Sequence, residues 1–95
     1  MSNRAEPVSC DVKICNERGL HARASAKFVK LANQFESHIQ VSKDGQEVCG
    51  TSIMGLLLLA AARGETINVS AQGRDADQAL GALSELVLNR FEEEK

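Results

Sequence analysis

The sequence predicts an α+β domain in which three helices cover one face of a four-stranded antiparallel sheet. Two observations lead to this fold class. Four short segments alternate apolar and polar residues, as half-buried strands do, and three segments repeat their apolar residues with the helical period. The order of these segments is β-α-β-β-α-β-α, and the 95 residues suffice for one small domain of two layers.

The first strand and the first helix are separated by the turn NERG. The strand is the segment CDVKI, in which Cys10, Val12 and Ile14 alternate with two charged residues. The helix is predicted because apolar and small residues from Ser25 to Ala32 share one face, whereas the opposite face is basic and polar.

The middle of the chain predicts a hairpin and a second helix. Residues 38–50 form the hairpin, because Asp44-Gly45 suits the positive φ angles of a type I′ turn between two alternating segments. The run SIMGLLLLAAARG that follows is too rich in leucine and alanine for a strand. Ser52 is its expected N-cap and Gly64 its expected C-terminal stop.

The last strand, TINVSA, precedes a third helix. Asp75 is expected to cap this helix, helped by Gln78 three residues later. The apolar positions continue with the helical period as far as Phe91. Residues 1–7 are expected to be a flexible N-terminus and residues 92–95 a loose acidic tail.

Composition argues against several classes of protein. A net charge of −2 is unlike the strong basic excess of nucleic-acid-binding proteins. The longest apolar run, IMGLLLLAAA, is about half as long as a membrane-spanning helix requires, and the first ten residues lack the apolar segment of a secretion signal. We therefore expect a cytoplasmic protein without metal or cofactor, in which the cysteines are reduced. They are Cys10, Cys15 and Cys49.

His21 is the candidate for chemistry. It stands at the predicted start of the first helix, where free N–H groups and the helix dipole favour an anion. Gly19 permits a close backbone approach, and Arg23 offers a planar set of donors suited to phosphate. The same positive field disfavours imidazolium, so His21 is expected to be neutral and nucleophilic near neutral pH. These features predict a phosphoryl acceptor, and the absence of a GxxxxGK[ST] loop means that a partner protein must supply the group.

Two stretches resemble the HPr family, the histidine phosphocarriers of the bacterial phosphotransferase system. They are GLHARASAKFVK and VSKDGQEVCGTSIMGLLLLAAARGETINVSAQGRDADQAL, and the resemblance runs over residues 8–91. It implies an open-faced β-sandwich in which His21 is phosphorylated at Nδ1 and Arg23 stabilises the phosphate. It also implies that Enzyme I donates the phosphoryl group and that EIIA-type domains receive it.

The second motif, GTSIMG, matches the segment whose serine is phosphorylated in some branches of the family by the ATP-dependent HPr kinase/phosphorylase. The resemblance places that serine at Ser52, which is an N-cap in either case. It also implies that Ile53, Met54 and Leu57 belong to a surface on which partner proteins dock. Lys27, on the helix that starts near the candidate histidine, is a further candidate for contact with acidic partners.

One residue departs from the common family pattern. Proline usually follows the active-site arginine in this family, whereas this chain has Ala24. Proline suits the first helical turn because it needs no partner for a main-chain N–H, and alanine adds one donor there. The main-chain N–H groups of Ala22 and Ala24 are expected to contact the phosphate.

The sequence leaves three alternatives open. The chain could serve a regulatory relay of the nitrogen type rather than sugar uptake. It could be a thiol- or histidine-dependent enzyme in which Cys15 or Cys49 works with His21, although no signature supports that pairing. It could also be a small regulatory module that binds a ligand without chemistry. As a phosphocarrier the chain is not an enzyme and is expected to be a monomer.

Overall fold

The computed structural model describes residues 6–95, so most of the predicted flexible segment 1–7 lies outside the described residues. Within that range the chain forms four strands, three α-helices and a final 3-10 turn. The strands are β1 (Val8–Lys13), β2 (Ser37–Lys43), β3 (Gln46–Cys49) and β4 (Thr66–Gly73). The helices are α1 (Ala22–Ala32), α2 (Ile53–Leu59) and α3 (Ala76–Leu88), and the 3-10 turn is Arg90–Glu92.

The four strands form one antiparallel sheet in the order β1-β4-β2-β3. Strand β4 pairs with β1, where Val12 lies opposite Ile67, and with β2, where Ile39 lies opposite Ala71. All four of these side chains are buried. Helix α3 packs against β1 and β4, α1 packs against α2 and α3, and α2 lies beside β3. The predicted α+β fold, with its four-stranded antiparallel sheet and three helices, is confirmed.

Helix α1 packs on the core through most of the predicted face, although Val29 of that face is half-buried and Ala24 joins the buried residues. Ala24, Ser25, Phe28 and Ala32 recur at helical spacing and are all buried. Burial of a side chain the size of Phe28 contributes about 1.5–3 kcal/mol. The first turn of α1 is therefore fixed relative to the sheet.

The predicted hairpin is confirmed. Strands β2 and β3 pair in antiparallel register as far as Lys43 opposite Gln46. Between them Asp44 and Gly45 have φ angles of 53° and 82°. Two positive φ angles in a two-residue loop are what a type I′ turn requires.

The second helix is shorter than predicted. We expected it to run to Gly64, but α2 ends at Leu59 and the next residue adopts a left-handed conformation with φ of 50°. The chain after the helix instead bonds to the segment that precedes α1. Leu20 N–H donates to the oxygen of Ala61 (2.9 Å), and Gly64 N–H donates to the oxygen of Ile14 (2.8 Å). No helix within the described residues is long and apolar enough to cross a membrane.

Gly19 lies where these two segments meet. Its φ is 67°, and a Cβ atom at this position would lie 2.4 Å from the main-chain oxygen of Ala61. A side chain there would push the two segments apart. The glycine thus permits the predicted close backbone approach just before His21.

The third helix differs from the prediction at both ends. Asp75 is its N-cap residue but makes no side-chain cap; the carboxylate accepts instead from Glu36 N–H (2.9 Å) and the Ser37 hydroxyl (2.5 Å). At the other end α3 stops at Leu88, and Phe91 follows in the 3-10 turn with φ of 53°. Phe91 is nevertheless completely buried. The apolar period therefore identified the buried residue but not the break in the helix.

Candidate functional site

His21 is the N-cap residue of α1. Its main chain is extended, with φ of −78° and ψ of −177°, and its oxygen accepts the first intrahelical hydrogen bond from Ser25 N–H (2.8 Å). The side chain turns back on the helix, because Arg23 N–H donates to His21 Nδ1 (3.3 Å). Nδ1 therefore lies at the helix N-terminus, where main-chain N–H groups have no intrahelical partner.

The two ring nitrogens of His21 have different partners, which fixes the tautomer. A main-chain N–H can only donate, so Nδ1 carries a lone pair rather than a proton. Nε2 lies 2.6 Å from Oε2 of Glu93, and a carboxylate can only accept. In neutral His21 the proton is thus on Nε2, and Nδ1 is the nucleophilic nitrogen. The ring is accessible, since 22% of its side-chain surface is exposed.

Glu93 reaches His21 from the acidic tail, residues 92–95. Two further hydrogen bonds join this tail to the segment before α1: Asn16 Nδ2 donates to Glu93 Oε1 (3.0 Å), and Glu17 N–H donates to the main-chain oxygen of Lys95 (3.0 Å). The looseness of the tail stays a prediction. Burial raises the pKa of Glu93, but the hydrogen bonds from Asn16 and His21, with nearby positive charge, outweigh it and leave the pKa lowered. Glu93 is therefore a carboxylate at neutral pH.

A shallow depression of about 350 Å³ surrounds the ring of His21. Arg23 also lines it, so the structure brings together the two side chains predicted to handle phosphate. The remaining lining residues are charged, with both signs represented: Glu17, Arg18, Glu93, Glu94 and Lys95. Because Arg23 is exposed, its guanidinium can reach an anion bound in this depression.

The first turn of α1 supplies main-chain donors beside Nδ1. Ser25 donates the first intrahelical bond, so the N–H groups of Ala22, Arg23 and Ala24 precede it. Ala22 is exposed, whereas the side chain of Ala24 is completely buried. The predicted contacts of Ala22 and Ala24 with phosphate stay predictions, and they rest on this position in the first turn.

Ser52 and the start of α2 form a second group of predicted residues. Ser52 Oγ accepts from Gly55 N–H (3.0 Å), which confirms the predicted N-cap. The apolar side chains that follow divide between the core and the surface. Leu56 and Leu59 are buried and Leu57 is half-buried. The exposed ones are Ile53 (40%), Met54 (70%) and Leu58 (66%). Leu58 was not predicted, because spacing alone does not assign each leucine of a run of four.

Lys27 has a contact within the molecule. Its Nζ donates to the main-chain oxygen of Phe91 (2.8 Å) and lies 3.9 Å from Oε1 of Glu92. The ammonium group thus ties α1 to the 3-10 turn that precedes Glu93. The predicted contact of Lys27 with acidic partners stays a prediction, and 34% of its side chain is exposed for such a contact.

The two cysteines considered as alternative nucleophiles have other partners. Cys15 Sγ donates to a main-chain oxygen (3.3 Å), and Cys49 Sγ lies 3.0 Å from the hydroxyl of Thr51. The Thr51 hydroxyl and main chain lower the pKa of Cys49. Neither thiol is a hydrogen-bond partner of His21, so the Cys–His pair of a thiol enzyme is not formed. Residues 6–95 also contain no group of three His, Cys, Asp or Glu side chains suited to a metal ion.

Comparison with known proteins assigns the chain to a family. The family model described as the PTS HPr component phosphorylation site matches residues 8–89. The chain belongs to the HPr family. It is 46% identical to phosphocarrier protein HPr of Cupriavidus necator over 83 residues, which are 87% of this chain and 93% of that one. It is 42% identical to phosphocarrier protein NPr of Shewanella violacea over 82 residues, which are 86% of this chain and 90% of that one.

A solved HPr structure has the same fold. HPr-C-His from Thermoanaerobacter tengcongensis superposes with a TM-score of 0.89 at 40% identity, over 93% of this chain and 99% of that chain. The open-faced β-sandwich implied by the family resemblance is thereby confirmed, and proteins of the HPr family are phosphocarriers.

The sequence did not single out two residues that contact or support His21. Asn16 lies in the predicted turn, and Glu93 is one of three consecutive glutamates with no local feature to distinguish it. Glu93 is separated from His21 by 72 positions, and from Asn16 by 77. The chain reaches them through the break after α3, and the apolar period contains no signal for that break.

Proposed function

We propose that His21 accepts a phosphoryl group at Nδ1 from Enzyme I and passes it to EIIA-type domains. The hydrogen bond from Arg23 N–H to Nδ1 carries this proposal, because it leaves a lone pair on Nδ1 beside the main-chain donors of α1. A nucleophile at a helix N-terminus lies in the positive field that favours an incoming phosphoryl group. The chain would then act in the cytoplasm as a monomeric carrier rather than as an enzyme.

The transfer step follows from the partners of Nδ1. Its lone pair forms the new N–P bond while the bond from phosphorus to the donor atom breaks and leaves its electron pair on the donor. Arg23 N–H then changes its acceptor from Nδ1 to a phosphate oxygen. The N–H groups of Ala22 and Ala24 and the Arg23 guanidinium supply further donors. A helix end favours an exposed anion by only about 0.3–1 kcal/mol, which suits a carrier that must release the group.

Partner docking is assigned to the exposed apolar surface of α2. Ile53, Met54 and Leu58 are exposed on this seven-residue helix, and α2 packs against α1, which starts beside His21. Large exposed apolar side chains grouped on one element are a feature of interaction surfaces. The charged residues around His21 would supply the polar rim of such an interface. Leu57, which is half-buried, would contribute less than its neighbours.

Ser52 is assigned as a regulatory phosphorylation site for HPr kinase/phosphorylase. A phosphate at Ser52 would lie at the N-terminus of α2, where it is tolerated locally. It would also place negative charge beside Ile53 and Met54 and so oppose the docking of an acidic partner. Incubation with ATP and the kinase should label the wild type but not Ser52→Ala. Equal labelling of the two proteins would contradict the assignment.

A second candidate function is a regulatory phosphorelay of the nitrogen type. The 42% identity to NPr of Shewanella violacea favours it. Both candidate functions use the chemistry of His21 and differ in the partner proteins. Phosphorylation rates measured with a sugar-type and a nitrogen-type Enzyme I separate the two functions, since the cognate donor should be the faster one.

Phosphoryl labelling tests the proposed function itself. With purified Enzyme I and phosphoenolpyruvate, the wild type should gain acid-labile, base-stable phosphate, and His21→Ala should gain none. His38→Ala is the matched control, because His38 is exposed on β2 and is the second of the two histidines. Equal labelling of the wild type and His21→Ala would refute the proposal. A wild type that accepts no phosphate would favour the ligand-binding module.

A further inference from the structure

We propose that Glu93, held by Asn16, is a positioning residue that fixes the ring of His21 through Nε2 and so presents Nδ1 for phosphoryl transfer. The inference rests on the proposed function of His21. Glu93 would act on the ring and not on the phosphoryl group, because it faces Nε2 while Nδ1 faces the start of α1.

Both oxygens of the Glu93 carboxylate are engaged. Oε2 lies 2.6 Å from Nε2 of His21, slightly less than the roughly 2.7–2.9 Å of charge-assisted hydrogen bonds from a nitrogen to a carboxylate. Oε1 accepts from Asn16 Nδ2 (3.0 Å). The same Nδ2 also donates to the main-chain oxygen of Gly19 (2.9 Å), two residues before His21. One buried amide group therefore ties the carboxylate to the loop that carries the ring.

Asn16 occupies its position at a cost. It is completely buried, and its Oδ1 is the one buried side-chain N or O atom within residues 6–95 that has no hydrogen-bond partner. Buried polar atoms are nearly always paired, and an unpaired acceptor destabilises the folded state. An apolar residue would avoid that cost but could not bridge Gly19 and Glu93. The cost is consistent with a bridge that serves the site.

The three residues that precede Glu93 have strained main-chain conformations. Arg90, Phe91 and Glu92 have φ angles of 60°, 53° and 65°, in the left-handed region that residues other than glycine rarely adopt. Burial of Phe91 and the bond from Lys27 Nζ to its main-chain oxygen hold this turn. Strained backbone that the surrounding structure enforces is often found at functional sites.

The chemistry gives this contact a role during transfer. Nδ1 forms its bond to phosphorus while the bond from phosphorus to the donor atom breaks, and the electron pair of that bond stays on the donor. Nε2 keeps its proton throughout, so the phosphorylated ring carries a positive charge. The Glu93 carboxylate lies against that Nε2–H and stabilises the charge as it develops, as the aspartate of a Ser-His-Asp triad does for its histidine.

NMR of the unphosphorylated protein tests the contact without any transfer step. With the histidine rings labelled with 15N, His21 should give a protected Nε2–H signal and the tautomer with a bare Nδ1. Glu93→Gln keeps the shape of the acceptor without its charge and should shift that signal, whereas Glu93→Ala should lose it to solvent exchange. Glu85→Gln is the matched control, an exposed change on α3 outside the depression around His21, and should leave the His21 signals unchanged. An unchanged His21 ring in Glu93→Ala would overturn the inference.

Kinetics with Enzyme I tests the role in transfer. Glu93→Gln should lower kcat about tenfold, because the amide can still accept from Nε2–H but lacks the charge that stabilises the phosphorylated ring in this partly exposed pair, and it should leave KM within about twofold. Glu85→Gln, an exposed change on α3 away from the depression around His21, should match the wild type, and all rates are measured below the Tm of each variant. A kcat for Glu93→Gln equal to or above that of the wild type would overturn the inference. Labelling of His21→Ala would instead overturn the proposed function.

Discussion

The two helix starts that carry the candidate sites are built in different ways. At α2 the cap is local, because Ser52 Oγ accepts from Gly55 N–H three residues later. At α1 the cap is a histidine held at both ring nitrogens, and one of its partners, Glu93, is 72 residues away along the chain. A cap that satisfies one main-chain donor needs only the local sequence. A nucleophile of defined tautomer needs a second partner from another part of the fold.

Substituting the two cap residues should show most clearly that the two helix starts differ in function. His21→Ala should abolish phosphorylation from Enzyme I and phosphoenolpyruvate. Ser52→Ala should keep that phosphorylation while lowering the free energy of unfolding by about 1 kcal/mol, the usual value of an N-cap. Labelling assays and urea unfolding measure the two effects. A Ser52→Ala protein that accepts no phosphate from Enzyme I would show that the two helix starts are not separate in function.

The same difference explains how far the sequence could predict the molecule. The Asp44-Gly45 turn, the buried face of α1 and the Ser52 cap each depend on residues within a few positions, and all three are confirmed. His21 could be singled out because its helix start and its arginine are also local. The contact between Glu93 and His21 could not be predicted, because it depends on the break in the chain after α3, where Phe91 is buried in the core.

The end of α2 was mispredicted for the same physical reason. Composition favours a helix that continues to Gly64, but hydrogen bonds to the segment before α1 outweigh the helix propensity of three alanines. Differences in helix propensity between ordinary residues are only a few tenths of a kcal/mol per residue. Tertiary hydrogen bonds and packing therefore decide where the helix ends. Asp75 likewise bonds to the turn before β2 instead of capping α3.

Disturbing the close main-chain contact at Gly19 should have the next largest effect, and the quantity affected is the stability of the fold. Gly19→Ala should lower the free energy of unfolding by about 2–4 kcal/mol, because it adds a left-handed alanine and a Cβ that clashes with the oxygen of Ala61. Gly45→Ala is the control, since Gly45 has φ of 82° but no atom within 4 Å of its Cβ position. That variant should lose only about 1–2 kcal/mol. Equal losses by urea unfolding would show that the contact with Ala61 is unimportant.

The exposed surface of α2 should affect partner binding and not the phosphoryl chemistry. Met54→Asp should raise the KM of Enzyme I for this protein about tenfold, an effect of the size seen when an interface hot spot is lost. It should leave the Tm within a few degrees, because Met54 is 70% exposed. Leu88→Asp is the matched control, with a side chain 58% exposed on α3. If Leu88→Asp raised KM as much as Met54→Asp, the docking surface would not be confined to α2.

The smallest expected effect concerns Asp75, at the start of the third helix. The hydrogen bonds from the Ser37 hydroxyl and Glu36 N–H lower the pKa of Asp75. A lowered pKa stabilises the fold above the unfolded value, about 3.9, and the contribution is lost as the pH falls through the folded value. Asp75→Asn should therefore have a slightly lower Tm than the wild type at neutral pH, and the difference should shrink below about pH 4. Glu85→Gln, an exposed change on α3, should show no such dependence, and a pH-independent difference for Asp75→Asn would contradict the assignment.

The central claim is that Nδ1 of His21 is the phosphoryl acceptor. NMR of the phosphorylated protein, with the histidine rings labelled with 15N, tests this claim most directly. The structure predicts that phosphorus is bonded to Nδ1 of His21 and that Nε2 keeps its proton beside Glu93. Phosphate on Nε2 of His21, or on any other residue, would contradict it.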